Sequence, residues 1–243
     1  VLRSHTLGEA DRIVTFLTRT AGKVRAVARG ARRSRKRFGS NLELLSRVRL
    51  TYFEKEGVDL ARVESADLLE SFYALQADPE RGAVLACFAE VADAFAREQQ
   101  EDEAFFRLLH AVLQAVKGGL DLEWAGRYFE LWTLKLHGVL PPLTQCGRCG
   151  AAMGTGGGQL LRREAIVTCR RCGDRRAGDP DLPAAAVAAA VEILKRAPAA
   201  FIGRPVDKTA LAPLRALSLA LLFDLTEKRF RSYDVLEQLR RTT

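Results

Sequence analysis

A chain of 243 residues, 48% hydrophobic and 28% charged, is long enough for one large domain or two to three small ones. No stretch approaches the roughly 20 uninterrupted apolar residues of a membrane span; the longest apolar-leaning run, 211–225, is broken by Pro213, Arg215 and Asp224. The first residues carry no basic-then-apolar signal segment, so a cytoplasmic location is expected.

The net charge of +8 is concentrated, because residues 19–49 hold eleven Lys or Arg against one acid, Glu43. A basic excess this local predicts a surface for polyanions. A GC-rich genome would account for the choice of arginine over lysine but not for the clustering.

The first seventy residues read as β. Residues 12–19 are rich in Ile, Val, Thr and Phe, and Thr20, Ala21 and Gly22 supply a turn. Residues 23–29 alternate, with Val24, Ala26 and Ala28 on one face and Lys23, Arg25, Val27 and Arg29 on the other. Strand side chains alternate with period two, so the cations project together. Residues 47–54 repeat the pattern, setting Val48, Leu50 and Tyr52 against Arg47, Arg49, Thr51 and Phe53. A weaker strand is expected at 60–65. Strands this short and this many suggest a small barrel, an OB-fold first and an SH3-like barrel as the alternative.

Beyond about residue 68 the period becomes helical. Val84, Phe88, Val91 and Phe95 share one face, as do Phe105, Leu109, Val112 and Val116. Trp124, Tyr128, Leu131 and Trp132 continue at helical spacing until Gly138, Pro141 and Pro142. The aromatic stripe reads as core, and Cys87 beside Phe88 as a buried free thiol. Residues 145–176 form a glycine-rich insertion. Helices then resume, with Asp181 and Pro183 as a start signal, a Leu-rich helix over 209–229 and a closing one over 233–240. The expected organisation is α+β and multidomain: a basic OB-fold over 1–68, helices over 69–144, a zinc ribbon over 145–178, and returning helices over 179–243.

Four of the five cysteines form two Cys-x-x-Cys pairs, Cys146 with Cys149 and Cys169 with Cys172, nineteen residues apart. This is the spacing of a zinc ribbon. Two thiolates in one tight turn reach a tetrahedral ion at about 2.3 Å, and a second knuckle returned by a hairpin completes the set. Four thiolates leave no position for a reactive water, so one structural Zn2+ is expected, with an iron–sulfur centre or a redox dithiol as the alternatives. Gly150 and Gly173 follow the pairs where the turns are cramped. Arg148, Arg170 and Arg171 either bind phosphate or offset the negative charge of a tetrathiolate site.

Residues 29–37 place six cations in nine residues with no acid. Such a loop is expected to be too self-repulsive to pack, and so either disordered or waiting for a polyanion. The nucleic-acid candidates are Lys23, Arg25, Arg29, Arg32, Arg33, Arg35, Lys36, Arg37, Arg47 and Arg49. Aromatics near them are few: Phe38, Phe53 and Phe16. Charge should therefore dominate binding over base stacking. Three scattered histidines (His5, His110 and His137) and the lack of a Walker-type loop argue against an enzyme.

Leu7-Gly-Glu-Ala-Asp-Arg12, Leu17-Thr-Arg and Gly22-Lys-Val-Arg-Ala-Val-Ala-Arg-Gly30 resemble the N-terminal signature of the bacterial DNA repair family RecO. So does Phe129-Glu-Leu-Trp-Thr-Leu-Lys-Leu-His-Gly-Val-Leu-Pro-Pro142 running into Cys146-Gly-Arg-Cys-Gly150. The resemblance implies an OB-fold that binds single- and double-stranded DNA. It also implies annealing of complementary strands and help in loading a recombinase. The partners it implies are RecR and the acidic C-terminal tail of single-strand-binding protein, in a nucleoid-associated setting. A competing reading is an OB-plus-zinc-ribbon protein acting on structured or ribosomal RNA.

Overall fold

The computed structural model describes residues 1–33, 38–153, 156–174 and 176–242. The chain divides into two compact units: residues 1–107 with 230–243, and the intervening 108–229.

The first unit holds five strands: β1 (Arg3–Leu7), β2 (Asp11–Leu17), β3 (Lys23–Ala28), β4 (Arg47–Phe53) and β5 (Ala61–Glu70). Their order is β1-β2-β3-β5-β4, antiparallel except for the β3–β5 pair. The Val1 nitrogen donates to the Ser46 carbonyl at 2.9 Å, and the Leu45 amide donates to the Val1 carbonyl at 2.7 Å. These bonds curl the two sheet edges toward each other. This is the expected OB-fold, with Val14, Phe16, Val24, Ala26, Ala28 and Val63 in its core. β1 was not foreseen. Its sequence, Arg-Ser-His-Thr-Leu, has no apolar alternation, and pairing with β2 makes it a strand. β5 also runs five residues past the expected end.

Two helices belong to this unit, α1 (Pro79–Phe95) and α6 (Arg231–Thr242). Asp78 caps α1, accepting from the Arg81 amide at 2.7 Å, with Pro79 in the first turn. The α6 N-terminus is capped by Glu90 of α1, whose carboxylate accepts the amides of Arg231 (3.0 Å) and Ser232 (2.9 Å) and the Ser232 hydroxyl. The helical periods did not signal that these two helices group with the barrel. At Gly22 (φ +58°) the segment after α1 comes so close that a Cβ would lie 2.1 Å from the Gln100 carbonyl oxygen.

α2 (Glu103–Lys117) crosses the division between the units. The second unit holds α3 (Leu122–Leu136), α4 (Ala184–Ile193), α5 (Lys208–Thr226) and a small sheet. As expected, the aromatic stripe of α3 is core. The polar tips of its rings find carbonyls: Trp124 at Pro205 (3.3 Å), Tyr128 at Arg196 (3.0 Å) and Trp132 at Ile193 (3.0 Å). Arg127 and Glu130, 3% and 1% exposed, form a bidentate pair at 2.9 and 2.6 Å, and Ser218 of α5 donates to the same carboxylate. α5 is long and apolar enough to cross a membrane, yet Leu211, Leu214, Leu217, Leu221 and Leu222 are buried in this unit, which makes it a core helix.

The sheet is formed by β6 (Gly158–Leu161), β7 (Ile166–Cys169) and β8 (Asp181–Leu182) in the order β7-β6-β8. Asp181 was expected to open a helix. It pairs instead with Gln159 of β6, and α4 begins at Ala184 with no side-chain cap. The Pro183 ring supplies the start, and the ladder to β6 takes Asp181 first.

Candidate nucleic-acid surface and metal centre

β3 realises the alternation read from the sequence: Val24, Ala26 and Ala28 are buried, and Arg25 and Arg29 are exposed. Lys23 is different. Its ammonium donates to the Asp93 carbonyl of α1 at 2.8 Å and lies 3.6 Å from the Asp93 carboxylate. The strand projects Lys23 as expected, but α1 covers that end of it. On β4, Arg49 is exposed, whereas Arg47 lies 3.5 Å from Glu70 of β5. Arg25, Arg29 and Arg49 have no ion-pair partner among the described residues.

The start of the basic loop is held by the β1–β2 turn. The Gly30 amide donates to Asp11 (2.8 Å), and the Arg32 amide donates to the Ala10 carbonyl (3.0 Å). The Arg32 guanidinium reaches the Gly8 carbonyl at 3.1 Å, and Arg33 reaches Glu9 at 3.3 Å. The β1–β2 turn thus receives the start of the loop. Arg35, Lys36 and Arg37 lie outside the described residues. At the far side the chain re-enters the core through Phe38 (1% exposed) and Leu42, and the Asn41 amide donates to the Ala66 carbonyl at 2.6 Å. Phe38 is therefore an anchor and not a stacking platform. Phe16 is also buried, because residues 14–17 of β2 are buried on both faces. Of the three aromatics singled out in the sequence, only Phe53 is exposed, at 60%. Arg62 of β5, opposite Phe53 in the register, is exposed as well and was missed because an isolated arginine in a weak strand gives no signal.

In the second unit the two cysteine pairs converge. The ligand atoms of Cys146, Cys149, Cys169 and Cys172 all lie within 4.8 Å of one another, with Cys149 and Cys169 Sγ 3.9 Å apart. Four sulfurs around a tetrahedral ion at about 2.3 Å sit about 3.8 Å from each other, so the cage fits a structural metal ion.

Local sequence builds both knuckles. The Cys146 amide donates to the Ala151 carbonyl (2.8 Å), Gly150 (φ +70°) donates to the Cys146 carbonyl (2.9 Å), and Gly147 donates to Val167 of β7 (2.8 Å). Across the hairpin, the amides of Cys172 and Gly173 both donate to the Cys169 carbonyl at 3.0 Å. A Cβ at Gly158 would lie 2.2 Å from the Thr168 carbonyl oxygen, so β6 needs glycine opposite Cys169.

Burial pushes the Cys146 thiol up, but backbone amides at Cys169, Cys149 and Arg148 outweigh it and bring it down to about 6. Amides of Cys172 and Arg171 lower Cys169. Cys172, engaged by the Cys149 and Cys169 thiols, is pushed up to about 12. Thiolates this close repel, and a cation at their centre lets all four ionise together.

Two of the three arginines in the knuckles are paired. Arg148 donates to the Cys172 carbonyl and to Glu164, both at 2.9 Å, and lies 3.5 Å from Asp174. Arg170 holds Asp181 through both guanidinium nitrogens at 2.5 and 3.0 Å. Arg171 is exposed.

Comparison with known proteins decides the family. The profile described as "Recombination protein O N terminal" matches residues 1–72, and "Recombination protein O C terminal" matches residues 76–234. The chain belongs to the RecO family. It is 34% identical over 241 residues to the DNA repair protein RecO of Koribacter versatilis, covering 98% of this chain and 96% of that protein. It is 36% identical over 249 residues to the RecO of Symbiobacterium thermophilum, covering 99% and 95%. It is 34% identical over 239 residues to that of an Anaeromyxobacter strain, covering 98% and 94%. As a RecO-family DNA repair protein, the chain joins an OB-fold to a four-cysteine site that fits zinc.

Proposed function

We propose that this protein binds single- and double-stranded DNA through the outward face and basic loop of its barrel. In this reading it anneals complementary strands as a non-enzymatic recombination mediator, working with RecR and the acidic tail of single-strand-binding protein in the nucleoid. The observation that carries the reading is the set of exposed guanidinia with no ion-pair partner among the described residues, Arg25, Arg29 and Arg49, together with a sequence run of six cations over 29–37 that begins at Arg29. Arg32, Arg33, Arg35, Lys36 and Arg37 supply the loop's contacts, with Arg47 and Lys23 at the margins, already engaged by acids. The four cysteines hold one structural Zn2+, whose preference for tetrahedral thiolate sets fits this donor set.

Few aromatics face solvent on the barrel, so most bases stay free to pair while charge screens strand repulsion. If about six phosphates are neutralised, log affinity for single strands falls against log salt with a slope near −4. Replacing Arg32, Arg33, Arg35 and Arg37 with Ala should flatten that slope for all sequences alike. An unchanged slope would move the contacts elsewhere. In a fluorescence assay, two complementary oligonucleotides should pair faster with the protein than without it, irrespective of ATP. Slower pairing would favour a protective binder, and tighter binding to structured RNA at matched salt would favour the RNA reading.

A further inference from the structure

We infer that Phe53 and Arg62 form a reader for one unpaired base, the element that lets the barrel distinguish single strands from duplex. The inference rests on the DNA-binding reading above and adds a site to it.

The register builds a row across the outward face: Phe53 on β4 lies opposite Arg62 on β5, Arg62 lies opposite Val27 on β3, and Val27 lies opposite Ile13 on β2. The face is fixed by the neighbours. Ala61 and Val63 flank Arg62 in the core, and Ala26 and Ala28 flank Val27 there. Directly opposite residues have Cβ atoms about 5 Å apart, so Phe53 and Arg62 are nearest neighbours on one face. Two residues before Val27, Arg25 projects from the same face.

Neither Phe53 nor Arg62 is used by the fold. Phe53 is 60% exposed and Arg62 is exposed, with no ring contact or ion pair for either among the described residues. Phe53 is the exposed aromatic of the basic segment, and its position in the row beside Arg62 is what singles it out. Its two companions in the basic segment, Phe16 and Phe38, are both in the core. What remains is one aromatic face with one guanidinium beside it and a second nearby, a match for a base and its flanking phosphate.

The surrounding acids give the site a direction. Glu54 follows Phe53, and the β4–β5 loop carries Glu56 and Asp59 against one cation, Lys55, so the charge at that end is net negative. Phosphates are repelled on that side, so the backbone leaves the ring toward Arg25 and Arg29. The neutral base takes the acid-flanked end. Duplex cannot use the ring, because its bases are stacked and paired, and its contacts stay with the charged loop.

The experiment is a binding titration of the full chain against oligothymidylate and a matched duplex over a salt series. Phe53→Ala should weaken oligothymidylate binding about 5- to 150-fold, the range for one lost stacked base, with an unchanged salt slope and unchanged duplex affinity. Arg62→Ala should lower the single-strand slope by about 0.7, with Arg62→Lys restoring it. Phe53→Trp should keep single-strand affinity, and its fluorescence should be quenched by oligothymidylate but not by duplex. Phe53 is mostly exposed, so the variants should melt like the parent. Equal loss of single-strand and duplex binding in Phe53→Ala, or no loss at all, overturns the reader while leaving charge-driven DNA binding intact. A parent protein that binds neither DNA removes both readings.

Discussion

The barrel and the cysteine segment are both small β units with arginines on their surfaces, yet they use charge in opposite ways. In the barrel, a continuous core running from Val14 to Ala66 holds the strands together, while Arg25, Arg29, Arg49 and Arg62 are exposed with no ion-pair partner among the described residues. In the cysteine segment, four sulfurs converge at one end of a small sheet that buries Leu160, Val167 and Leu182, and Arg148 and Arg170 are spent on Glu164, Asp174 and Asp181. A count of cations would rank the two regions together, whereas their pairing separates them. A nucleic-acid surface is recognised by guanidinia that the fold leaves uncommitted.

The sharpest way to break this comparison is to remove one sulfur. Cys169→Ser should abolish zinc binding and unfold the segment from about 145 to 178, since structural zinc contributes roughly 10–16 kcal/mol of apparent folding free energy in small fingers. The barrel should keep its hydrogen-exchange protection and its DNA affinity. Metal analysis together with exchange mass spectrometry reads both, and a zinc-free native protein would end the metal assignment.

The corresponding change in the barrel is Phe38→Ala. A fully buried phenylalanine replaced by alanine costs about 3–5 kcal/mol. Thermal unfolding should show that loss in the first unit, and the basic loop should become protease-sensitive because its inner anchor is gone. A variant that melts like the parent would mean the loop is not fastened to the core.

A smaller effect is expected at Glu90→Ala, which strips the cap from α6. About 1–2 kcal/mol should be lost from the first unit. Proline-free fraying of α6, seen as faster exchange at Arg231 and Ser232, would locate the change. The mildest variant is Arg148→Ala. It leaves all four sulfurs in place but removes the side chain in the first knuckle that donates to the Cys172 carbonyl of the second. Zinc should dissociate several-fold faster into a colorimetric chelator, with little change in melting. Unchanged release would reduce Arg148 to surface charge.

The cysteine site was legible because ligand spacing is a local property, and the strand at 23–28 because alternation is. Burial inside a loop is neither. Phe38 sits among arginines in the sequence, and only the closure of the barrel decides that it points inward. Alternation put Lys23 and Arg25 on one face correctly, but it has no access to α1, which claims Lys23 through Asp93. Asp181 is a good cap residue in the wrong place, since its strand state depends on β6, more than twenty residues earlier. Phe53 and Arg62 are nine residues apart, and only the β4–β5 register makes them neighbours.

The Glu90 cap also bears on how the protein is made. The first unit takes its closing helix from residues 230–243, so the whole of the second unit is translated between the barrel and the helix that completes its support. On the ribosome the inner unit can finish first, shortening the loop that the outer unit must close. The barrel, although synthesised first, cannot complete its native packing before α6 has been made.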